Sequence, residues 1–159
     1  MNNALVGVAV AVGILSIWKR RAPLDPPGQA GDSDIWEPGP SNYGDAVLTF
    51  ARAIAHAEGF GIPNAIPTVA NNPGDLVIPG WSPTIGSAGI AVFDSVDYGW
   101  SRLYRQIELI ISGQSNYYRM SMTLSQMGHV YAGGDPNWAR NVASYLGVST
   151  STTLGQVLT

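Results

Sequence analysis

Fifteen consecutive residues near the start of the chain, Ala4 to Trp18, carry no charge and a single serine. Such a run is apolar all round, so it cannot be the one-sided surface helix of an ordinary small domain. As a helix it covers about 22 Å at 1.5 Å per residue, short of a hydrocarbon core of about 30 Å. Asn2 and Asn3 before it, and Lys19 and Arg20 after it, extend its reach, since long basic side chains snorkel to the interface. A secretory leader carries its positive charge ahead of the apolar run, and here the charge follows it. The run is therefore expected to be an uncleaved, single-pass transmembrane helix, with a buried hydrophobic helix and a cleaved leader as the alternatives. Residues 1–21 make up this anchor and its basic flank. With Lys19, Arg20 and Arg21 after the span, the positive-inside rule places the remainder of the chain on the interior face.

Residues 22–40 are expected to be a linker. They hold Pro23, Pro26, Pro27, Pro38 and Pro40, with Gly28, Gly31 and Gly39 among them. Proline removes backbone donors and fixes φ, so this stretch builds neither a helix nor an interior strand. What remains, residues 41–159, is long enough for one domain with one core. The whole chain is 12% charged and 45% hydrophobic, which excludes a disordered acidic tail. A net charge of −3, with five scattered arginines beyond the basic flank, gives no footprint for nucleic acid. The absence of cysteine excludes disulfides, zinc ribbons and thiol nucleophiles, and two histidines are too few for a histidine metal site. No metal or other cofactor is expected.

Local signals predict a mainly α (α+β) domain. A first helix starts near Asn42, with Asp45 supporting its N-terminus, and stops at Gly59. A loop rich in Gly, Pro and Asn follows to Gly74. Leu76–Ile78 and Ile90–Phe93 are short apolar runs separated by Pro and Gly, and read as a small β-hairpin. A second long helix covers about Val96 to Ser112, capped by Asp94 or Ser95, with Trp100, Leu103, Tyr104, Ile107 and Ile111 at helical spacing. Thr123-x-x-Gln126 is a capping box, and Asp135-Pro136 opens a further helix that Gly147 ends. A last short helix follows Thr152.

The domain has two glutamates, Glu58 and Glu108. With Val47 at zero and about 100° per residue, Phe50, Ile54 and Ala51 fall near 300°, 340° and 40°, and Glu58 near 20°. Glu58 thus lies on the apolar stripe of its own helix, at the C-terminal end. A carboxyl group there is drawn partly out of water and meets the negative end of the helix dipole, and both disfavour its charged form. That is the environment of a general acid for glycosidic cleavage; lysozyme, a different protein, is the type case. An exposed Glu58 at a fraying helix end is the bland alternative.

Glu58-Gly59, then Asn71-Asn72-Pro73-Gly74-Asp75-Leu76, then Gly89-Ile90-Ala91-Val92-Phe93 and a helix with Gly99 and Leu103 resemble the lysozyme-like muralytic domains of bacteriophage virions. These are similar to lytic transglycosylases and goose-type lysozymes. Tyr131-Ala132 and the stretch from Trp138 to Val148 fit the same pattern, so the resemblance covers roughly residues 42–158. It implies a lysozyme-like fold, peptidoglycan glycan strands as substrate, Glu58 as catalytic acid, and the Asn-Asn-Pro-Gly stretch as the start of the β element lining the sugar cleft. The sequence departs from the family in having Asp75 where Asn is usual, and in lacking a clear Gly-Leu-Met-Gln segment.

A hydrolase needs a second carboxylate, for which Asp75, Asp94 and Asp97 are candidates; Asp94 and Asp97 fit a capping role as well. A lytic transglycosylase works with one residue, which protonates the leaving oxygen and then deprotonates the muramic acid 6-hydroxyl. The transglycosylase reading is preferred. Asn72 and Tyr131 are candidates to position the acetamido group or the acid, and Trp81 to stack on a sugar; turn and core roles are the alternatives. His56 and His129 fall off the apolar faces and are expected in solvent. Tyr117, Tyr118, Met120, Met122 and Met127 read as core. The resulting expectation is a muralytic enzyme anchored in a virion membrane or an inner membrane, with other virion membrane or capsid proteins as further partners. A lysozyme-like assembly protein without activity, and a cellular wall-remodelling factor, are its rivals.

Overall fold

The computed structural model of the protein describes residues 44–159. The run Ala4–Trp18, the linker 22–40 and Asn42 lie outside the described residues. Among the described residues no helix is long and apolar enough to cross a membrane. They form a mainly helical domain with one two-stranded sheet.

Helix α1 (Asp45–Glu58) is capped two residues later than the Asn42 the sequence suggested. Its N-cap is Gly44, which has no side chain to cap with, and Asp45 favours the dipole from the first turn. Val47, Phe50, Ala51 and Ile54 form its buried stripe, and Ala53 and Ala55 widen it, so other elements cover the helix on more than one side. Its end is sharp. Gly59 adopts φ +79°, and the Phe60 N–H reaches back to the Ala55 carbonyl at 2.9 Å, closing a Schellman-type cap. A side chain at Gly59 would strain the left-handed backbone and meet Ile62 Cδ1 at 3.3 Å. Gly59→Ala is expected to cost about 1–2 kcal/mol, the usual penalty for an L-residue in this region, read as a lower urea midpoint.

The loop to Gly74 is less open than the sequence suggested, because Ile66–Val69 forms a short helix, α2, with Pro67 in its first turn. The expected hairpin is also displaced. The strands are β1 (Thr84–Ile85) and β2 (Ile90–Ala91), antiparallel, with Thr84 opposite Ala91 and Ile85 opposite Ile90. Leu76–Ile78 is not a strand. It meets β2 through one backbone bond, Ala91 N–H to the Leu76 carbonyl at 2.9 Å. The ladder stops there because the Asn72 side chain takes the neighbouring backbone groups.

Helix α3 (Val96–Ile111) is capped by Ser95, whose hydroxyl accepts from the Tyr98 N–H. Its buried face holds Gly99, Leu103, Gln106, Ile107 and Ile110, while Ile111 turns outward and Trp100 and Tyr104 are half-buried. Gly99 is required by proximity: a Cβ there would stand 1.9 Å from the Asn71 carbonyl oxygen. The first turn of α3 therefore lies directly on the backbone of the Asn-Asn-Pro-Gly turn.

The remaining helices follow their sequence signals closely. Helix α4 (Leu124–Tyr131) has the complete Thr123–Gln126 capping box, and α5 (Pro136–Leu146) has Asp135 as N-cap and Gly147, at φ +67°, as its stop. Helix α6 (Leu154–Val157) carries a second capping box, Thr153–Gln156. The two boxes sit side by side, with Leu124 N–H bonded to the Thr152 carbonyl and Leu154 N–H to that of Met122. At Gly128 a Cβ would come within 3.0 Å of both Ala139 and Trp138. The missing side chain lets α5 press against α4. One hydrophobic cluster runs through the domain, from Val47, Phe50 and Ile54 of α1 through Leu76, Phe93, Leu103 and Ile107 to Leu124, Trp138, Val142 and Leu154.

Candidate functional site

Glu58 is the last residue of α1, half-buried, at the point where Gly59 turns the chain away. The Trp138 indole N–H donates to Glu58 Oε1 at 2.9 Å. Trp138 is 2% exposed, so its N–H has no access to bulk water and the carboxylate supplies the acceptor a buried indole needs. The indole stacks on Tyr131, with ring centroids 4.8 Å apart and planes inclined by 26°. The Tyr131 hydroxyl in turn donates to the Gly74 carbonyl. A chain of contacts thus joins the acid at the end of α1, a ring from α5, a ring from α4 and the backbone of the turn at Asn71–Leu76. Tyr118 packs on the far side of this group, 6.2 Å from Tyr131 between centroids.

The turn is held by its own side chains. Asn71 and Asp75 take positive φ, 53° and 51°, which Asn and Asp tolerate better than most residues. The Asn72 carboxamide is fully buried. Its nitrogen donates to the Leu76 carbonyl at 3.0 Å and the Ala91 carbonyl at 2.8 Å, and its oxygen accepts from the Leu76 N–H at 2.9 Å. Both donors and one acceptor site are spent on backbone. Asn72 is therefore the strut of the turn, and its side chain does not face solvent where a sugar would lie. Asn71 adds a bond from its side chain to the Phe93 carbonyl at 3.0 Å. Asp75 is only 5% exposed. Asp94 and Asp97 stand exposed at the start of α3.

Trp81 lies in a separate aromatic group. Its indole N–H donates to the Val92 carbonyl at 3.1 Å, its ring stacks on Tyr98 at 6.2 Å, and the Phe93 ring meets it edge-on at 5.5 Å. A second row follows Glu58 in space: Phe60 edge-on to Trp100 at 5.6 Å, and Trp100 stacked on Tyr104 at 5.8 Å. Burial pushes the Tyr104 phenol above its ordinary range, and nearby Arg52 offsets part of this. His56 and His129 are both exposed, as their helix positions predict, and His56 packs beside the Tyr145 ring at 5.3 Å. Among the described residues no group of His, Cys, Asp and Glu has the arrangement of a metal site.

No family model, curated protein or solved structure matches the chain. The site is therefore read from its own geometry. Two surface hollows, of about 310 and 460 Å³, lie along α4 and share Ser125 and His129. Neither is lined by Glu58, Asn72, Asp75, Trp81 or Tyr131. Of the residues singled out from sequence, Glu58 and Tyr131 share one contact group with the turn, Asn72 and Asp75 belong to that turn, and Trp81 stands apart. The residue of this contact group that sequence reasoning did not single out is Trp138 of α5. The available signal was chemical: a buried tryptophan needs an acceptor, and a glutamate on an apolar stripe is a natural one.

Proposed function

We propose that the protein is a lysozyme-like, membrane-anchored enzyme that cleaves the glycan strands of peptidoglycan as a lytic transglycosylase, with Glu58 as its acid and base. The observation that carries this is the Glu58–Trp138–Tyr131–Gly74 chain. It supports the reading because a single carboxyl group that must first give and then take a proton needs a fixed orientation. A buried indole donor on one oxygen supplies one point of that fixation. The turn tied to it contains the Asn-Asn-Pro-Gly stretch on which the family resemblance rests.

In the proposed reaction Glu58 protonates the oxygen of the scissile bond between N-acetylmuramic acid and N-acetylglucosamine. The resulting carboxylate then takes the proton of the muramic acid 6-hydroxyl, which attacks the anomeric carbon and closes a 1,6-anhydro ring. The Trp138 N–H holds Glu58 Oε1 in place through both proton transfers. The burial of Asp75, and the exposed positions of Asp94 just before the α3 N-cap and of Asp97 in its first turn, favour the one-carboxylate route over a hydrolase. Placement in a virion membrane follows from the apolar run Ala4–Trp18 together with the resemblance.

A zymogram of residues 41–159 tests the activity. A cleared band in a gel cast with peptidoglycan is expected. An intact, refolded band without clearing favours the rival reading as an assembly protein.

A further inference from the structure

The tryptophans among the described residues differ at the indole N–H. Trp81 donates to the Val92 carbonyl and Trp138 to Glu58. The Trp100 N–H has no acceptor among the described residues and is not enclosed by them, so it faces water. Trp100 stands in a row of three half-buried rings. Phe60 meets it edge-on at 5.6 Å, and Tyr104, one turn further along α3, stacks on it at 5.8 Å with planes inclined by 22°. Backbone fixes the row to the proposed site at two points. Phe60 follows Gly59, and its N–H closes the cap of α1 on the Ala55 carbonyl, two residues beyond Glu58. Trp100 follows Gly99, which is pressed on the Asn71 carbonyl. The Phe60–Trp100 contact therefore joins the end of α1 that bears Glu58 to the turn at Asn71–Leu76. Arg52, exposed on α1, lies near Tyr104 at the other end of the row.

We infer that Trp100, walled by Phe60 and Tyr104, is the ring platform of a glycan subsite beside Glu58 and takes one N-acetylhexosamine of the strand. A β-1,4-linked N-acetylglucosamine chair carries its ring substituents equatorially and its ring C–H bonds axially. Its faces are apolar and its rim is a belt of hydroxyl and amide groups. A partly exposed indole with an unspent N–H matches both parts: the ring packs on the C–H face and the N–H donates to the rim. A purely apolar partner would bury that donor without an acceptor, which costs free energy. Arg52 adds further donors, suited to an acetamido carbonyl or to a carboxylate on the strand. Trp81, the sugar-stacking candidate from sequence, fits less well because its N–H is already spent on the Val92 carbonyl. The inference rests on reading the surroundings of Glu58 as a glycan site.

The probe is the β-1,4-linked tetramer of N-acetylglucosamine, added to the full chain in detergent with nitrogen-15 in its indoles. The Trp100 indole resonance is assigned with Trp100→Phe. A saturable shift of that resonance is expected as the tetramer is added. Trp100→Ala is expected to weaken binding, measured by calorimetry, about tenfold or more. Trp100→Phe keeps a ring and loses the donor, and is expected to weaken it less. Tyr145→Ala removes an exposed ring from α5 and is expected to bind like the parent. A tetramer that binds without moving the Trp100 resonance overturns the subsite in the parent chain itself, whether or not Trp100→Ala folds. Equal affinity of the parent and a folded Trp100→Ala chain overturns it too, as does the absence of saturable binding. Cleavage of sacculi reads the proposed activity separately. A chain that binds the tetramer at Trp100 and releases no fragments keeps the subsite and loses the enzyme. One that releases fragments and does not bind the tetramer keeps the enzyme and loses the subsite.

Discussion

Glu58→Gln is expected to lower the rate of peptidoglycan cleavage by at least about 100-fold, the lower end of what general acid–base catalysis supplies. The substitution keeps the shape of the side chain and an oxygen that accepts from the Trp138 indole, so the 2.9 Å bond and the fold persist. It removes the proton that the reaction needs to give and take. Glu108→Gln is the control. Glu108 lies on α3 in a solvent-exposed pair with Arg105 at 3.6 Å, a contact worth at most about 1 kcal/mol. Its loss is expected to leave the rate within a few-fold. Turbidity loss of purified sacculi, with folding followed by circular dichroism, measures both. Equal losses in the two variants, or a Glu58→Gln chain that no longer unfolds cooperatively, would remove the case for Glu58.

Asn72→Ala is expected to act on stability. It strips three hydrogen bonds from a fully buried site and strands the Leu76 N–H and the Ala91 carbonyl. An orphaned buried group costs about 1–3 kcal/mol, so a total of about 3–5 kcal/mol is expected, a large share of the usual 5–15 kcal/mol of a folded domain. Asn72→Asp should be worse. It keeps an acceptor for the Leu76 N–H but turns an oxygen, charged at neutral pH, toward two carbonyls that had a donor. Urea unfolding of residues 41–159 measures the series. Midpoints that stay within error of the parent, with a raised KM, would instead make Asn72 a sugar-binding residue.

These two residues also mark how far the sequence could be read. The place of Glu58, half-buried at the end of α1, was legible because its signals are local: the apolar stripe of α1 and the glycine that stops it. The same holds for the Thr123 box, for Asp135-Pro136 and for Gly147, each of which determines a helix end through neighbours within four residues. The start of α1 was misplaced because Gly44 caps with backbone alone and leaves no side-chain signal. Helix α2 was hidden by Pro67, which reads as a breaker but is tolerated in a first turn. The hairpin was displaced because the Asn72 side chain, not a strand partner, takes the Leu76 N–H and the Ala91 carbonyl. That choice depends on Ala91, nineteen residues away. The Glu58–Trp138 bond spans 80 residues, and no local pattern encodes it. Only the general need of a buried indole for an acceptor pointed that way.

The chemistry of the cut ends is the most direct test of the account. Purified sacculi are digested with the protein, and the released fragments are weighed by mass spectrometry before and after borohydride reduction. The account predicts fragments ending in 1,6-anhydro-N-acetylmuramic acid, which lack one water and do not gain hydrogen on reduction, and predicts their near absence with Glu58→Gln. Reducing ends would move the assignment to a hydrolase with a second carboxylate. No released fragments from a folded protein would contradict the central claim outright.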